Sequence, residues 1–331
     1  MSELVVAVDG GNSKTDLALV GRDGGVLALV RGPLSSPHHI GIEGSVEVLQ
    51  GLFAEAVSEA GLVRRNGPVA AAGQLCMAGI DFPAEQRELQ RRVDALEWAT
   101  RAVVANDTYA VLWAGTPHGW GVGLVCGAGI NCVAVAPDGR EVRFPALGEI
   151  TGDWGGGSDV GAAALWSAAR SADGRGPKTT LEQSVPAHFG LATPDEVAEA
   201  IHLGRVPQRR LLELSPLVFL EAKRDDVART IVLRLLDEIA AFVRASLTRL
   251  TLTHREVDVA IGGGVTRSFD EATLSELGER LREVAPHVRL HTTQAPPVLG
   301  AALSALGAIG ADGEARARVR RELETTWRRD G

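Results

Sequence analysis

The chain has 331 residues, of which 45% are hydrophobic, so it can form one large or two ordinary domains with filled cores. Its formal net charge of -8 provides no basic surface for nucleic acid, and we expect no nucleic-acid partner. The N-terminal residues carry an acid where a signal peptide has basic residues, so we expect a cytoplasmic location. Residues 110–137 lack Asp, Glu, Lys and Arg, but glycines and polar residues interrupt them, which indicates buried strands and no membrane span.

The first predicted elements are two strands joined by a glycine turn, within residues 5–25. A helix is predicted over residues 44–62, because apolar residues recur there at helical spacing and Gly61 provides a stop. Strands and helices then alternate up to residue 115, which predicts an α/β fold.

A second strand-turn-strand unit occupies residues 121–144 and repeats the layout of the first, including a closing Asp-Gly turn. This internal similarity predicts two lobes built on one plan. Mostly helical sequence follows to residue 250, then a strand with a glycine turn, and a helix near residues 297–310 that begins at proline. The charged segment from Glu314 is predicted to be a surface helix or a frayed end.

The three cysteines, Cys76, Cys126 and Cys132, have no CxxC spacing. The sequence therefore indicates no disulfide framework and no zinc or iron-sulfur site, and we expect reduced, mostly buried thiols. His287 and His291 fall in a predicted strand, too far apart to share one metal ion.

Three glycine turns each follow an apolar strand, at Gly10-Gly11, Gly127–Gly129 and Gly262–Gly264. Glycine permits a positive φ and lets a ligand approach backbone amides, which can hold phosphate oxygens. Each turn alone is typical of a simple tight turn, but three in this order favour a nucleotide site.

Polar residues surround the first turn. Asp9 ends its strand, Lys14 offers a positive charge, and Ser13 and Thr15 offer hydroxyls that can bind phosphate or metal-held water. A plain hairpin turn with a solvated lysine is the alternative.

Asp107 follows Asn106 at the end of another strand. Such a carboxylate could accept a proton from a hydroxyl that attacks phosphorus, or it could cap the helix that follows.

The order of these motifs resembles the sugar kinases of the actin, hexokinase and heat-shock chaperone ATPase superfamily. The resemblance is greatest to the N-acetylglucosamine kinase branch, which is grouped with the BadF/BadG-type ATPase family that includes dehydratase activators. DGGNSKT resembles the first phosphate motif, AND the catalytic aspartate segment, GAGINC the second phosphate motif, and GDWGGGSDVG a variant of the GDEGSG loop. IGGGV resembles the adenosine motif and PPVLGAAL the last helix.

The resemblance implies an α/β, two-lobed actin-like (ribonuclease H-like) ATPase fold with a cleft between duplicated lobes. It implies an N-terminal lobe over residues 1–112 and a C-terminal lobe over 113–331. The second lobe would carry a helical insertion over about 165–250 and a last helix, 297–310, near the hinge. The extra helices are compatible with a homodimer.

The resemblance also implies ATP and Mg²⁺ as cofactors and a sugar as substrate, with transfer of the γ-phosphoryl group to O6 of N-acetylglucosamine or a related amino sugar. Asp107 would be the general base, and Asp9 would hold Mg²⁺ through water. The implied ATP contacts are Gly10, Gly11, Asn12, Ser13, Lys14, Thr15, Gly127, Ala128, Gly129, Gly262, Gly263 and Gly264. The implied sugar contacts are Ser36, His38, Asn106, Asp107, Asn131 and Asp153.

Two positions depart from the pattern of the resembled kinases. Ser36 stands where they have a sugar-binding asparagine, and Trp154 replaces the glutamate of the GDEGSG loop. The indole could stack on a sugar or pack the hinge. Two other functions stay open: an ATPase that activates a partner enzyme, whose iron-sulfur cluster the cysteine spacing does not favour, and a non-catalytic sugar sensor.

Overall fold

A computed structural model of the chain describes residues 3–63 and 67–330, with only the backbone over 327–330. The described residues form two compact units, one from Met1–Gly123 and Thr293–Gly331 and the other from Leu124–Thr292. This grouping places the last two helices with the N-terminal sheet, whereas the sequence analysis included them in the C-terminal lobe. The predicted lobe boundaries stay a prediction.

Each unit is built from one sheet and the helices around it. The elements in chain order are β1 Leu4–Gly10, β2 Lys14–Gly21, β3 Val26–Pro33, α1 Pro37–Glu59, β4 Ala70–Met77, α2 Pro83–Asp94, β5 Ala99–Asn106, α3 Thr108–Gly115, β6 Gly121–Cys126, β7 Ile130–Val135, β8 Glu141–Arg143, α4 Gly156–Ala172, α5 Leu181–His188, α6 Pro194–His202, α7 Ser215–Glu221, α8 Asp226–Leu250, β9 Val257–Gly262, α9 Glu271–Val284, β10 Val288–Thr292, α10 Pro297–Ala308 and α11 Gly313–Asp330.

The first sheet has the strand order β3-β2-β1-β4-β5, with β1 antiparallel to β2 and parallel to β4. Because side chains alternate along a strand, Val6 and Val8 contribute to a first core, which α1 and α2 cover. Val5 and Ala7 contribute to a second core on the opposite face, which also contains residues of α10 and α11.

The second core is lined by small side chains, which allow a helix to approach closely. Ala7, Ala18 and Cys76 all belong to it. On α10, a Cβ atom at Gly300 would lie 1.9 Å from the Ala110 carbonyl oxygen of α3, so only glycine fits there.

The second sheet has the strand order β10-β9-β6-β7-β8. Numbered within its own unit, this is the same order as in the first sheet, with the first three strands adjacent and the last two on the other side. Two α/β units of one plan are what the sequence repeat predicts.

Residues 156–250 form α4 to α8 with short connections, directly after the glycine loop. The predicted helical insertion over about 165–250 falls within this helical region, and its bounds stay a prediction. The α8 helix is capped by Asp225, whose carboxylate accepts hydrogen bonds from the Val227 and Ala228 amides at 2.8 and 2.9 Å.

The charged C-terminal segment is a regular helix, α11, that packs against the second core. Val319 and Leu323 are both 0% exposed, so the helix is amphipathic and the segment is not a frayed end. Among the described residues, no helix is long and apolar enough to cross a bilayer.

Candidate active site

The first glycine turn joins β1 to β2 and is closed by a hydrogen bond from the Gly11 amide to the Lys14 carbonyl oxygen at 2.9 Å. Neither Gly10 nor Gly11 has a positive φ, contrary to the expectation from sequence. A Cβ atom at Gly10 would instead lie 2.4 Å from Met77 Sδ and 2.6 Å from Ser35 Oγ. Glycine is therefore needed here because the turn packs directly onto its neighbours.

The polar side chains of this turn differ in accessibility. Asn12 and Ser13 are exposed, whereas Thr15 is buried and its hydroxyl donates a hydrogen bond to Ser35 Oγ at 2.7 Å. The Lys14 ammonium lies 4.0 Å from the buried carboxylate of Asp16, to which Arg31 Nε also donates at 2.7 Å. The Thr15 hydroxyl is thus bonded inside the protein, while the side chains of Asn12 and Ser13 are accessible to a ligand.

Asp9 lies at the end of β1, on the face of the sheet that carries the second core. It pairs in register with Cys76 of β4 and is partly buried. Burial raises the pKa of Asp9 to about 8, and the nearby charges of Asp107 and Asp16 add to the rise, while Lys14 opposes it. Ionisation of Asp9 is therefore unfavourable unless a cation lies beside it.

Mg²⁺ fits this arrangement as a water-held ion. Magnesium commonly binds one or two carboxylates and completes its shell with waters and substrate phosphates. Asp9 supplies such a carboxylate beside the first glycine turn. Within residues 3–63 and 67–330, no group of three His, Cys, Asp or Glu side chains could enclose a metal ion.

Asp107 connects β5 to α3. Its carboxylate makes no capping hydrogen bond, although Asp107 occupies the N-cap position of α3. The side chain of Asn106 bonds to the start of α3 instead. Its Oδ1 accepts hydrogen bonds from the Thr108 amide at 3.1 Å and from Thr108 Oγ1 at 2.6 Å. The Asp107 carboxylate therefore does not make the side-chain hydrogen bond that the cap alternative requires.

The electrostatic surroundings of Asp107 suit a general base. Burial raises the pKa of Asp107 to about 6, and the charge of Asp81 adds to the rise. A carboxylate with this pKa is mostly ionised at neutral pH and is a stronger proton acceptor than an ordinary aspartate. Asp81 was missed in the sequence, although it also follows a buried strand, β4, as Asp107 follows β5.

Of the predicted sugar contacts in the first unit, two side chains are buried. Ser36 is 0% exposed, and its hydroxyl has no hydrogen-bond partner among the described residues. Asn106 is 2% exposed, and its Nδ2 donates to Asp81 Oδ1 at 3.0 Å. His38 is exposed, with Nε2 3.4 Å from Glu85 Oε1.

In the second unit, three predicted segments meet. The Gly127–Gly129 turn is joined to the start of α4 by hydrogen bonds from the Gly157 amide to the Gly127 carbonyl oxygen at 2.7 Å and from the Ser158 amide to the Ala128 carbonyl oxygen at 2.9 Å. Gly263 has a φ of +108°, and a Cβ atom there would lie 2.3 Å from the Cys126 carbonyl oxygen. Within Gly262–Gly264, only Gly263 has the positive φ that the sequence analysis expected.

The two predicted sugar contacts of the second unit are partly buried. Asn131 Oδ1 accepts a hydrogen bond from the Cys132 amide at 2.7 Å, and Asp153 accepts one from the Thr151 hydroxyl. Both side chains lie on segments that adjoin the Gly127–Gly129 turn.

Trp154 lines a cavity of about 790 Å³ between α4 and α8. The Arg234 guanidinium lies 4.0 Å from the centre of the Trp154 ring, a cation-π contact. The cavity is also lined by Asp153, Asp159 and Trp166. Arg234 could not be linked to this loop from sequence, because the two are far apart along the chain. The indole packs against an arginine here, and the stacking of a sugar on it stays a prediction.

Two α/β units of one plan, each with glycine turns at strand ends, are the architecture of the two-lobed, actin-like ATPase fold. The model of the BadF/BadG/BcrA/BcrD ATPase family matches residues 6–305, so this chain belongs to that family. The fold and the family predicted from the sequence are confirmed.

Two curated proteins that this chain resembles are named sugar kinases. The chain is 27% identical over 268 residues to an N-acetylmuramic acid/N-acetylglucosamine kinase of Clostridium acetobutylicum, covering 80% of this chain and 86% of the relative. It is 25% identical over 316 residues to an N-acetyl-D-glucosamine kinase of Dictyostelium discoideum, covering 92% and 98%. A solved structure from Chromobacterium violaceum, provisionally named an N-acetylglucosamine kinase, matches with a TM-score of 0.67 at 23% identity, covering 92% and 99%.

Proposed function

We propose that this protein is an ATP-dependent sugar kinase that phosphorylates a hydroxyl, O6, of N-acetylglucosamine or a related amino sugar. The observation that carries the proposal is the Asp107 carboxylate, which caps no helix and has a pKa raised to about 6. The kinase names of relatives that cover most of the chain support the same reaction.

In the proposed reaction, Asp107 accepts the proton of the sugar hydroxyl as that oxygen attacks the γ-phosphorus. Asp9 would hold the water shell of Mg²⁺, and the ion would neutralise charge on the phosphates. The Gly11 and Gly127 amides are bonded within their own turns, at 2.9 Å to the Lys14 and Gly129 carbonyl oxygens. Phosphate oxygens would therefore bond to the other backbone amides of residues 10–13 and 127–129, and residues 262–264 would contact the adenosine. Lys14 adds positive charge beside the first turn, and Thr15 supports the turn from inside through its bond to Ser35.

For the sugar, the proposal retains His38, Asn131 and Asp153 as contacts besides Asp107. Ser36 is buried beside His38 and Gly79, where a Cβ atom on Gly79 would lie 2.5 Å from Ser36 Oγ. Its unpartnered hydroxyl would reach a sugar only if the segment before α1 moved. A homodimer and a cytoplasmic location remain predictions.

The iron-sulfur form of a partner-activating ATPase is not favoured by any observation. A cluster shared between subunits needs cysteine thiolates at a surface, and Cys76, Cys126 and Cys132 are all buried.

The test is ADP release from Mg-ATP with a panel of N-acetylglucosamine, glucosamine, N-acetylmannosamine, N-acetylmuramic acid and glucose. We expect sugar-dependent turnover that Asp107→Asn lowers by at least about 100-fold, because the general base is lost. Asp94→Asn, an exposed change at the end of α2, is the matched control and is expected to leave turnover unchanged. ADP release that does not depend on any sugar, or that Asp107→Asn leaves intact, would contradict the proposal.

A further inference from the structure

We infer that Asn106 is a positioning residue for Asp107, anchored by Asp81, and is not a sugar ligand. The inference rests on the proposed function, in which Asp107 is the general base. It revises the role that the sequence analysis gave to Asn106 and assigns a role to Asp81, which no motif had singled out.

Both ends of the Asn106 carboxamide have partners inside the protein. Nδ2 donates to Asp81 Oδ1 at 3.0 Å, and Oδ1 accepts from the Thr108 amide at 3.1 Å and from Thr108 Oγ1 at 2.6 Å. A carboxylate accepts and cannot donate, so it fixes which end of the amide faces Asp81. With the side chain 2% exposed, a sugar hydroxyl could bond to it only by displacing these partners.

The sheet register directs Asn106 to the opposite face from Asp9. Asn106 pairs with Met77 of β4, whose side chain belongs to the first core. Asp9 pairs with Cys76, which belongs to the second core. Since successive side chains on a strand face opposite sides, Asn106 points away from the Asp9 side of the sheet.

Asp81 is itself held at the start of α2. Its amide and that of Phe82 both donate to Glu85 Oε2 at 2.9 Å. The helix start thereby fixes the backbone from which the Asp81 carboxylate reaches Asn106. Through the two bonds to Thr108, Asn106 holds the residues on either side of Asp107, so the backbone that carries the base cannot shift freely. The charge of Asp81 also raises the pKa of Asp107.

The experiment compares steady-state kinetics of Asp81→Ala, Asp81→Asn and Asn106→Ser with those of the wild type, using the sugar that gives the highest turnover. We expect Asp81→Ala to lower kcat by about 10-fold to 100-fold while KM for the sugar changes less than about 3-fold, because a misplaced base weakens the transition state and not substrate binding. Asp81→Asn should recover most of kcat, because its carboxamide oxygen can accept the same hydrogen bond.

A double mutant separates positioning from a general structural defect. If Asp81 acts through Asp107, then Asp81→Ala should cause no further loss of kcat in the Asp107→Asn background. A further loss of the same size as in the wild type would overturn the inference. So would a rise in the sugar KM of about 10-fold or more in Asn106→Ser with kcat unchanged, which is the behaviour of a sugar ligand.

The outcomes also distinguish this inference from the proposed function. Full turnover in Asp107→Asn would refute the role of the base, and with it both proposals. An inactive Asp107→Asn together with an Asp81→Ala enzyme that matches the Asp94→Asn control would leave the kinase intact and refute the positioning role alone.

Discussion

The carboxylates at the strand ends of the first unit set the chemistry at the scale of single residues. Asp9, Asp81 and Asp107 follow or end three strands, and each affects the ionisation of a neighbour or is affected by one. Burial and like charge both disfavour the ionised form, so Asp9 and Asp107 hold protons more tightly than ordinary aspartates. The same energetics make the site receptive to a cation.

A pH dependence of turnover follows from the pKa of about 6 at Asp107. The base works only when ionised. At saturating Mg-ATP, when a cation beside Asp9 would oppose protonation of that carboxylate, kcat/KM for the sugar should be nearly constant above about pH 7 and fall roughly tenfold per unit below about pH 6. A pH-rate profile between pH 5 and 8, with thermal unfolding measured at each pH, tests this. In Asp81→Asn the inflection should move to lower pH, because one neighbouring negative charge is gone. A flat profile across this range in the folded wild type would contradict the assignment.

The sequence indicated the strand-end positions of Asp9 and Asp107 more clearly than it indicated the contacts of the other candidate residues, and their roles stay predictions. Asp9 and Asp107 were predictable because acids at the ends of buried strands have few structural uses. The burial of Thr15, Ser36 and Asn106 was not, because the packing of an end residue depends on elements distant in the chain. The Thr15 side chain is hydrogen-bonded to Ser35, and the Asn106 side chain to Asp81, which lies in a different strand connection.

At the scale of elements, α10 shows how a helix is fitted to the first sheet. It carries two glycines in different surroundings. At Gly300 a Cβ atom would lie 1.9 Å from the Ala110 carbonyl oxygen, whereas at Gly307 it would meet no atom within 4 Å. Neither has a positive φ, so the backbone tolerates other residues at both positions and only the space differs.

Alanine substitutions at these two glycines should have opposite effects on stability. Gly300→Ala forces α10 away from α3 and is expected to lower the free energy of unfolding by about 1–3 kcal/mol. Gly307→Ala, the matched change on an exposed face, should raise it by about 0.5–1 kcal/mol, because alanine favours the helix. Urea unfolding measures both, and equal effects in the two variants would show that the close approach to α3 is not what requires glycine.

Most elements were predictable from periodicity, but their bounds were not. The helix predicted from residue 44 is preceded by a helical turn from Pro37, and Gly41, with a φ of +72°, interrupts the helix between the two. The sequence of α11 is typical of a charged surface segment, yet Val319 and Leu323 belong to the second core. Two apolar side chains on one face of a charged helix give a weak signal until their partner surface is known.

At the scale of the whole molecule, two units share one strand order although their sequences differ. The repeat of a strand, a glycine turn and a strand with an Asp-Gly turn was visible in sequence, and it predicted the duplication. The return of residues 293–331 to the first unit was not visible, because the assignment of a helix to a lobe depends on long-range packing such as that of α10 on Ala7 and Ala18.

Nucleotide should stabilise the folded protein by mass action. If Mg-ADP binds only the native state, a concentration 100 times its Kd adds about 2.7 kcal/mol to the free energy of unfolding and raises Tm. Excess EDTA should remove part of this gain, because in the proposed function Mg²⁺ would link Asp9 to the phosphates. Thermal unfolding with Mg-ADP, ADP with EDTA, and Mg-AMP tests the prediction. No difference between Mg-ADP and buffer alone at millimolar concentration would contradict it.

The distribution of the three buried thiols provides a way to follow the opening of each unit separately. Burial raises the pKa of Cys126 and Cys132 to about 12 and that of Cys76 well above its usual range, so alkylating reagents find almost no thiolate in the folded protein. Cys76 lies in the first unit, and Cys126 and Cys132 lie in the second. Pulse alkylation followed by peptide mass spectrometry would therefore record which unit unfolds first under heat or denaturant. The native cysteines serve as the probes, so no cysteine has to be introduced.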